Sequence, residues 1–99
     1  MSKLIKEQVP VTELLAGLAE ECNELAHAAL KLRRVLDGGN PTPITIDDAL
    51  ENLYEEIADV NLYCHMISYP ESYVKRIMMD KQVRWEERLR ERMNGSNQS

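Results

Sequence analysis

Basic residues are in short supply in this chain: twelve Lys and Arg stand against seventeen Asp and Glu, for a net charge of −5 and an isoelectric point near 5.0. Sequence-independent binding of DNA or RNA depends on a cationic surplus that displaces phosphate counterions, so the balance argues against it. Cysteine is scarce as well. Two thiols, Cys22 and Cys64, fall short of a zinc framework or a disulfide scaffold and read as reduced. No apolar run approaches the roughly twenty residues of a membrane span. The opening MSKLIKEQVP has no apolar stretch of signal-peptide length, which makes a cytoplasmic location the expectation. Alternation of apolar and polar residues with period two is missing, and β-branched residues are sparse. A GxxxxGK(S/T) phosphate loop and a Ser/His/Asp pattern are both missing too.

What is there is helical. With 99 residues, 43% hydrophobic and 29% charged, the composition is that of one globular domain spanning 1–99 with a thin core. Apolar residues recur at three and four. Leu15, Leu18, Cys22, Leu25, Ala29, Leu32 and Leu36 form one seam, and Leu50, Leu53, Ile57, Val60, Cys64 and Ile67 form a second. These are heptad patterns, expected of helices packed side by side at a shallow angle. A third stretch, about 71–93, carries Val74, Ile77, Met78, Trp85 and Leu89 with a dense charged face. The expected architecture is all-α: a three-helix chain forming an antiparallel bundle, completed by oligomerisation.

The punctuation fits that reading. The first helix is expected just after Pro10, with Thr12 as its N-cap, and to stop at Asp37-Gly38-Gly39. Two Gly and two Pro within 38–43 exclude a helix there. Thr45 and Asp48 resemble a capping box that opens the second helix. Tyr69-Pro70 ends it and Pro70 suits the start of the third, which Gly95 closes. Residues 1–10 and 95–99 are expected to be flexible.

The chemistry lies in the carboxylates. One helix carries Glu20-Glu21-Cys22-Asn23-Glu24, the next Glu55-Glu56-Ile57-Ala58-Asp59. Residues three apart share a helical face, about 5–6 Å apart at Cβ, so Glu21/Glu24 and Glu56/Asp59 are each a two-carboxylate claw. All four acids precede a seam residue by one position, so both claws hold the same register and can converge. Converging carboxylates repel and are costly to desolvate, and the nearest cations on these helices, Lys31, Arg33 and Arg34, lie two turns on. A divalent cation is the natural counter-charge, and all-oxygen ligands point to Mg²⁺ or Mn²⁺. The plainer alternative is a pair of solvated acidic faces.

EExxE on one helix followed by ExxD on the next resembles the MazG-like all-α nucleoside triphosphate pyrophosphohydrolases. The resemblance extends over ELLAGLAEECNELAHAALKLRRVL, GGNPTPITIDDALENLYEEIADV and KQVRWEERL, roughly Val11 to Leu89, and is to the short phage and bacterial members. It implies Mg²⁺-dependent hydrolysis of a nucleoside triphosphate to the monophosphate and pyrophosphate, a nucleotide-pool housecleaning activity. It implies Glu21, Glu24, Glu56 and Asp59 as metal ligands, with Glu20 holding the attacking water or standing in the outer shell. Lys81, Arg84 and Arg88 share a face of the third helix; by the same resemblance they contact the triphosphate. A homodimer or homotetramer is implied too, since three helices alone cannot enclose a nucleotide and cover two seams.

The remaining polar and aromatic residues read more simply. Lys31, Arg33 and Arg34 complement a helix C-terminus. Trp85, Tyr54 and Tyr63 read as packing residues, and Cys22 and Cys64 as small hydrophobes in the seams. Asn61, beside the seam, calls for an interhelical hydrogen bond. His27 and His65 read as non-ligating. A di-iron bundle needs Glu-x-x-His on two helices, and only Glu24 with His27 fits. The competing function is a non-catalytic helical interaction module using its apolar seams. Nothing in the sequence selects a base.

Overall fold

A computed structural model describes residues 2–38 and 44–98, and places among them four helices and no strand. They are α1 (Lys3–Gln8), α2 (Val11–Leu36), α3 (Ile46–Ile67) and α4 (Glu71–Gln98). The all-α expectation is met, with one more helix than the three expected. The short α1 forms where a flexible lead was expected, because Ser2 caps it: its Oγ accepts from the Ile5 backbone N–H at 3.2 Å. No helix among the described residues is long and apolar enough to cross a membrane.

The helix ends follow local chemistry, with corrections. Thr12 does not cap α2; Pro10 takes that position, and its carbonyl accepts from Glu13 and Leu14. At the other end Asp37 is the C-cap and Gly38 follows at φ 77°, the left-handed conformation glycine adopts without penalty. The rest of the expected Gly/Pro loop, 39–43, lies outside the described residues. Thr45 caps α3 as expected, its Oγ1 accepting from Asp48 N–H at 3.0 Å. That helix stops at Ile67, short of Tyr69-Pro70, because Ser68 turns left-handed at φ 62°. Lys6 Nζ donates to Ser68 Oγ at 2.7 Å, tying α1 to this turn. Gly95 does not end α4, which runs on to Gln98.

The chain divides into two compact units, Met1–Ser68 and Tyr69–Ser99. The first is a hairpin of α2 and α3 with α1 laid against α3. Gly17 meets the Tyr63 ring, and Glu21 meets Asp59 and Glu56, so rising positions on α2 face falling positions on α3. The helices are antiparallel. Among the described residues the buried apolar side chains are Leu14, Ala28, Ala49 and Met66. The small ones at the helix contact let two backbones approach closely, as does Gly17, where a Cβ would overlap Tyr63.

The buried stripe is rotated from the expected seams. On α2 it runs Leu14, Leu18, Glu21, Leu25, Ala28, Leu32, Val35; on α3 it runs Ala49, Leu53, Glu56, Val60, Tyr63, Ile67. Leu15 and Leu36 are 51% and 62% exposed, Ile57 is 40% exposed, and Cys22 is exposed. Only alternate positions step back by one residue, so the stripe turns by about half of the roughly 100° that one residue spans, and Leu50 and Cys64 stay half-buried. Both candidate stripes contain Leu18, Leu25 and Leu32, so leucine content does not separate them. Cys22 and Ile57 suggested the wrong stripe because they are apolar; the acids beside them, Glu21 and Glu56, hold the inward positions. Asn61 is exposed in consequence, facing away from the helix contact where an amide partner was expected.

The second unit is α4 alone. Its charged face carries intrahelical bonds, Gln82 Nε2 to Glu86 Oε1 at 2.9 Å and Arg90 to Glu86 at 3.5 Å. Trp85, Met78 and Met93 are more than 60% exposed on it, so Trp85 is not a core residue of this chain.

Candidate functional site

Two acids sit in the packed stripe of a helix pair, and this defines the site. Glu21 comes from the middle of α2, Glu56 and Asp59 from the middle of α3. One carboxylate oxygen from each lies within 4.8 Å of the other two. Glu21 and Glu56 are half-buried and Asp59 is exposed, so the group opens to solvent on the Asp59 side. Glu24, the fourth expected ligand, lies outside that 4.8 Å group and is exposed, though its charge is felt at both Glu21 and Glu56. Glu20 is exposed on α2 beside Glu21.

The electrostatics follow from this crowding. Loss of solvation raises the Glu21 carboxyl above the usual glutamate range, and the charges of Asp59, Glu56 and Glu24 raise it further, as does a hydrogen bond to Asp59. Glu56 is raised in the same way, first by desolvation and then by Asp59, Glu24 and Glu55. Among the described residues no lysine or arginine lowers either one. The buried Oε2 of Glu56 has no hydrogen-bond partner among the described residues. Buried carboxylate oxygens are ordinarily satisfied. A cation ligated by oxygens from three carboxylates would satisfy this one and offset most of the local negative charge, so the residues present fit a hard divalent ion.

The expected phosphate contacts lie in the second unit. Lys81, Arg84 and Arg88 border one small cavity on α4 together with Trp85. Arg84 Nε donates to the Asp80 backbone carbonyl at 3.5 Å, and among the described residues Lys81 and Arg88 form no ion pair with Asp80, Glu87 or Glu91. These cations share a face without being neutralised by it. His27 is exposed and joins no carboxylate group.

Sequence reasoning missed a second feature. One to two turns from the acids, a cavity of about 330 Å³ opens between the helices, lined by Ile5, Val9, Glu13, Leu14, Leu62, Tyr63 and Met66. The signal was present in the spacing: Glu13 falls seven residues before Glu20, on the same row as Gly17 and Glu24. It was unreadable without α1, whose Ile5 and C-cap Val9 help close the cavity. No protein-family model, curated protein or solved structure matches the chain.

Proposed function

We propose that this chain hydrolyses a nucleoside triphosphate to the monophosphate and pyrophosphate with Mg²⁺, or Mn²⁺ in its place. The observation that carries the reading is the convergence of Glu21, Glu56 and Asp59 from two helices, with a buried Glu56 oxygen left without a partner. Hydrogen-bonded acidic surface does not account for that oxygen.

When bound, the cation supplies charge neutralisation for the polyphosphate and Lewis acidity toward phosphoryl oxygens and water. Glu21, Glu56 and Asp59 would hold it, with Glu24 completing the set from the rim. The exposed Glu20 carboxylate is assigned to hold and orient the attacking water. Attack on the α-phosphorus forms one P–O bond and breaks the bond to the bridging oxygen, which leaves with pyrophosphate. Lys81, Arg84 and Arg88 are assigned to the triphosphate oxygens, where guanidinium and ammonium donors offset charge. No protein nucleophile is needed.

Assembly into a homodimer or homotetramer is part of the reading. Leu15, Cys22, Ala29 and Leu36 form an exposed row at seven-residue spacing on α2, with Tyr54, Ile57 and Leu62 exposed on α3. Such rows suit a further pair of helices. They also favour the second reading, a non-catalytic interaction module, in which the acids are incidental. Glu56→Gln separates the two, because it nearly preserves shape and removes charge. Pyrophosphate release from a panel of triphosphates with Mg²⁺ is expected from the wild type and lost in Glu56→Gln. No release by either protein would overturn the hydrolase, and equal release by both would overturn the role of Glu56.

A further inference from the structure

We infer that α1 is a lid: it roofs the apolar cavity between α2 and α3, is latched by Lys6 on Ser68, and opens by unfolding locally up to Pro10 while the helix pair stays folded. The inference stands apart from the proposed hydrolysis.

The lid is attached lightly. A six-residue helix is unstable alone in water, because nucleation costs more than its few backbone bonds return, so α1 persists only where it lies on α3. It buries no residue of its own. Leu4 is exposed, and Ile5 with the C-cap Val9, both half-buried, forms its share of the cavity wall. That contact is loose, since a space of about 330 Å³ remains between these two and Leu14, Leu62, Tyr63 and Met66. Side chains that face a void forgo dispersion contacts on that side.

The latch is specific. Helix α3 ends where Ser68 turns left-handed at φ 62°, a conformation that glycine takes without penalty and serine does not. The turn sets the Ser68 hydroxyl where Lys6 Nζ donates to it at 2.7 Å, from 62 positions away in the chain. It also brings the Lys6 ammonium to the C-terminus of α3, where a cation meets the negative end of the helix dipole. The hinge lies at the other end of α1. The Pro10 carbonyl accepts from Glu13 and Leu14, which fixes Pro10 to α2, and its ring keeps Val9 extended at φ −107° and ψ 116°. Motion of α1 therefore stops at Pro10.

Opening has a defined consequence. Leu14 and Met66, two of the four buried apolar side chains among the described residues, line this cavity and meet water when α1 leaves. The acids are shielded from the change, because the Tyr63 ring packed on Gly17 stands between the cavity and Glu21.

The test is methyl relaxation dispersion on the full chain, which reads opening on the microsecond-to-millisecond scale. Ile5, Leu14, Leu62 and Met66 are expected to share one exchange process, while Ala28 and Ala49, buried elsewhere in the hairpin, stay silent. Lys6→Met and Ser68→Ala each remove the latch and are expected to raise the open population about three- to tenfold, as for the loss of one hydrogen bond. Lys6→Arg keeps a cationic donor and is expected to retain the wild-type population. Ordinary fraying of a short helix would move Ile5 and leave Leu62 and Met66 silent, a result that overturns the lid. An open population unchanged in both latch variants overturns the inference as well, as does exchange shared by Ala28 and Ala49, which would be opening of the whole hairpin.

Discussion

Glu56 is half-buried beside two other carboxylates, with one buried oxygen unpartnered, and it is where structure and chemistry are most at odds. Replacing it with Gln removes a like charge while keeping the shape. Metal-free Glu56→Gln is therefore expected to melt at or above the wild-type temperature, while Mg²⁺ no longer raises its Tm. The proposed hydrolysis should fall in this variant by more than the about 10–100-fold typical of losing an outer-shell partner. A stability loss with retained Mg²⁺ response, read by thermal melts with and without Mg²⁺, would count against this role. Gly17 sets a second test. Ala is ordinarily favoured over Gly inside a helix by about 1 kcal/mol. Here its Cβ would overlap the Tyr63 ring, so Gly17→Ala should instead destabilise, by about 1–3 kcal/mol of overpacking in urea unfolding. Three of the four acids chosen by spacing do gather, because i and i+3 positions on neighbouring helices are legible in a sequence. Glu13 and the Gly17–Tyr63 contact were not, since each depends on which face of α2 turns inward.

At the scale of the helices, the caps and the stripe differ in how readily they are read. Thr45 was legible as a cap because hydroxyl capping is local, and Thr45→Ala should cost about 1 kcal/mol in the same urea titration. An unchanged midpoint would mean the helix start is held by other contacts. Thr12 failed as a cap because Pro10 already fixes an extended φ and lends its carbonyl to the first turn. The rotation of the stripe was illegible for a different reason. Counting apolar residues rewards Cys22 and Ile57 over Glu21 and Glu56, whereas close packing favours the stripe that holds Ala28 and Ala49 and sets Gly17 against Tyr63. Only the partner helix decides between them. α1 escaped notice because six residues carry too little periodicity to register.

For the whole molecule, the acids couple stability to pH and, on the proposed function, to a divalent cation. Glu21 and Glu56 are both raised above the usual glutamate range in the folded chain. Between the unfolded and folded values the native state holds more protons, so their contribution to stability is present below the ordinary glutamate pKa and is lost as pH rises through the raised values. Relative to Glu56→Gln, metal-free wild type should therefore lose stability as pH rises from the ordinary glutamate range toward neutrality, and Mg²⁺ should restore it at the upper end. A parallel pair of melting curves across that range would remove the coupling. The most direct measurement is binding of the ion itself: titration of the full chain with Mn²⁺ at neutral pH, followed by electron paramagnetic resonance of the free ion. Saturable binding to the wild type, competed by Mg²⁺ and lost in Glu21→Gln and Glu56→Gln, is the expected result. Equal depletion of free Mn²⁺ by wild type and both variants would contradict a cation held between α2 and α3.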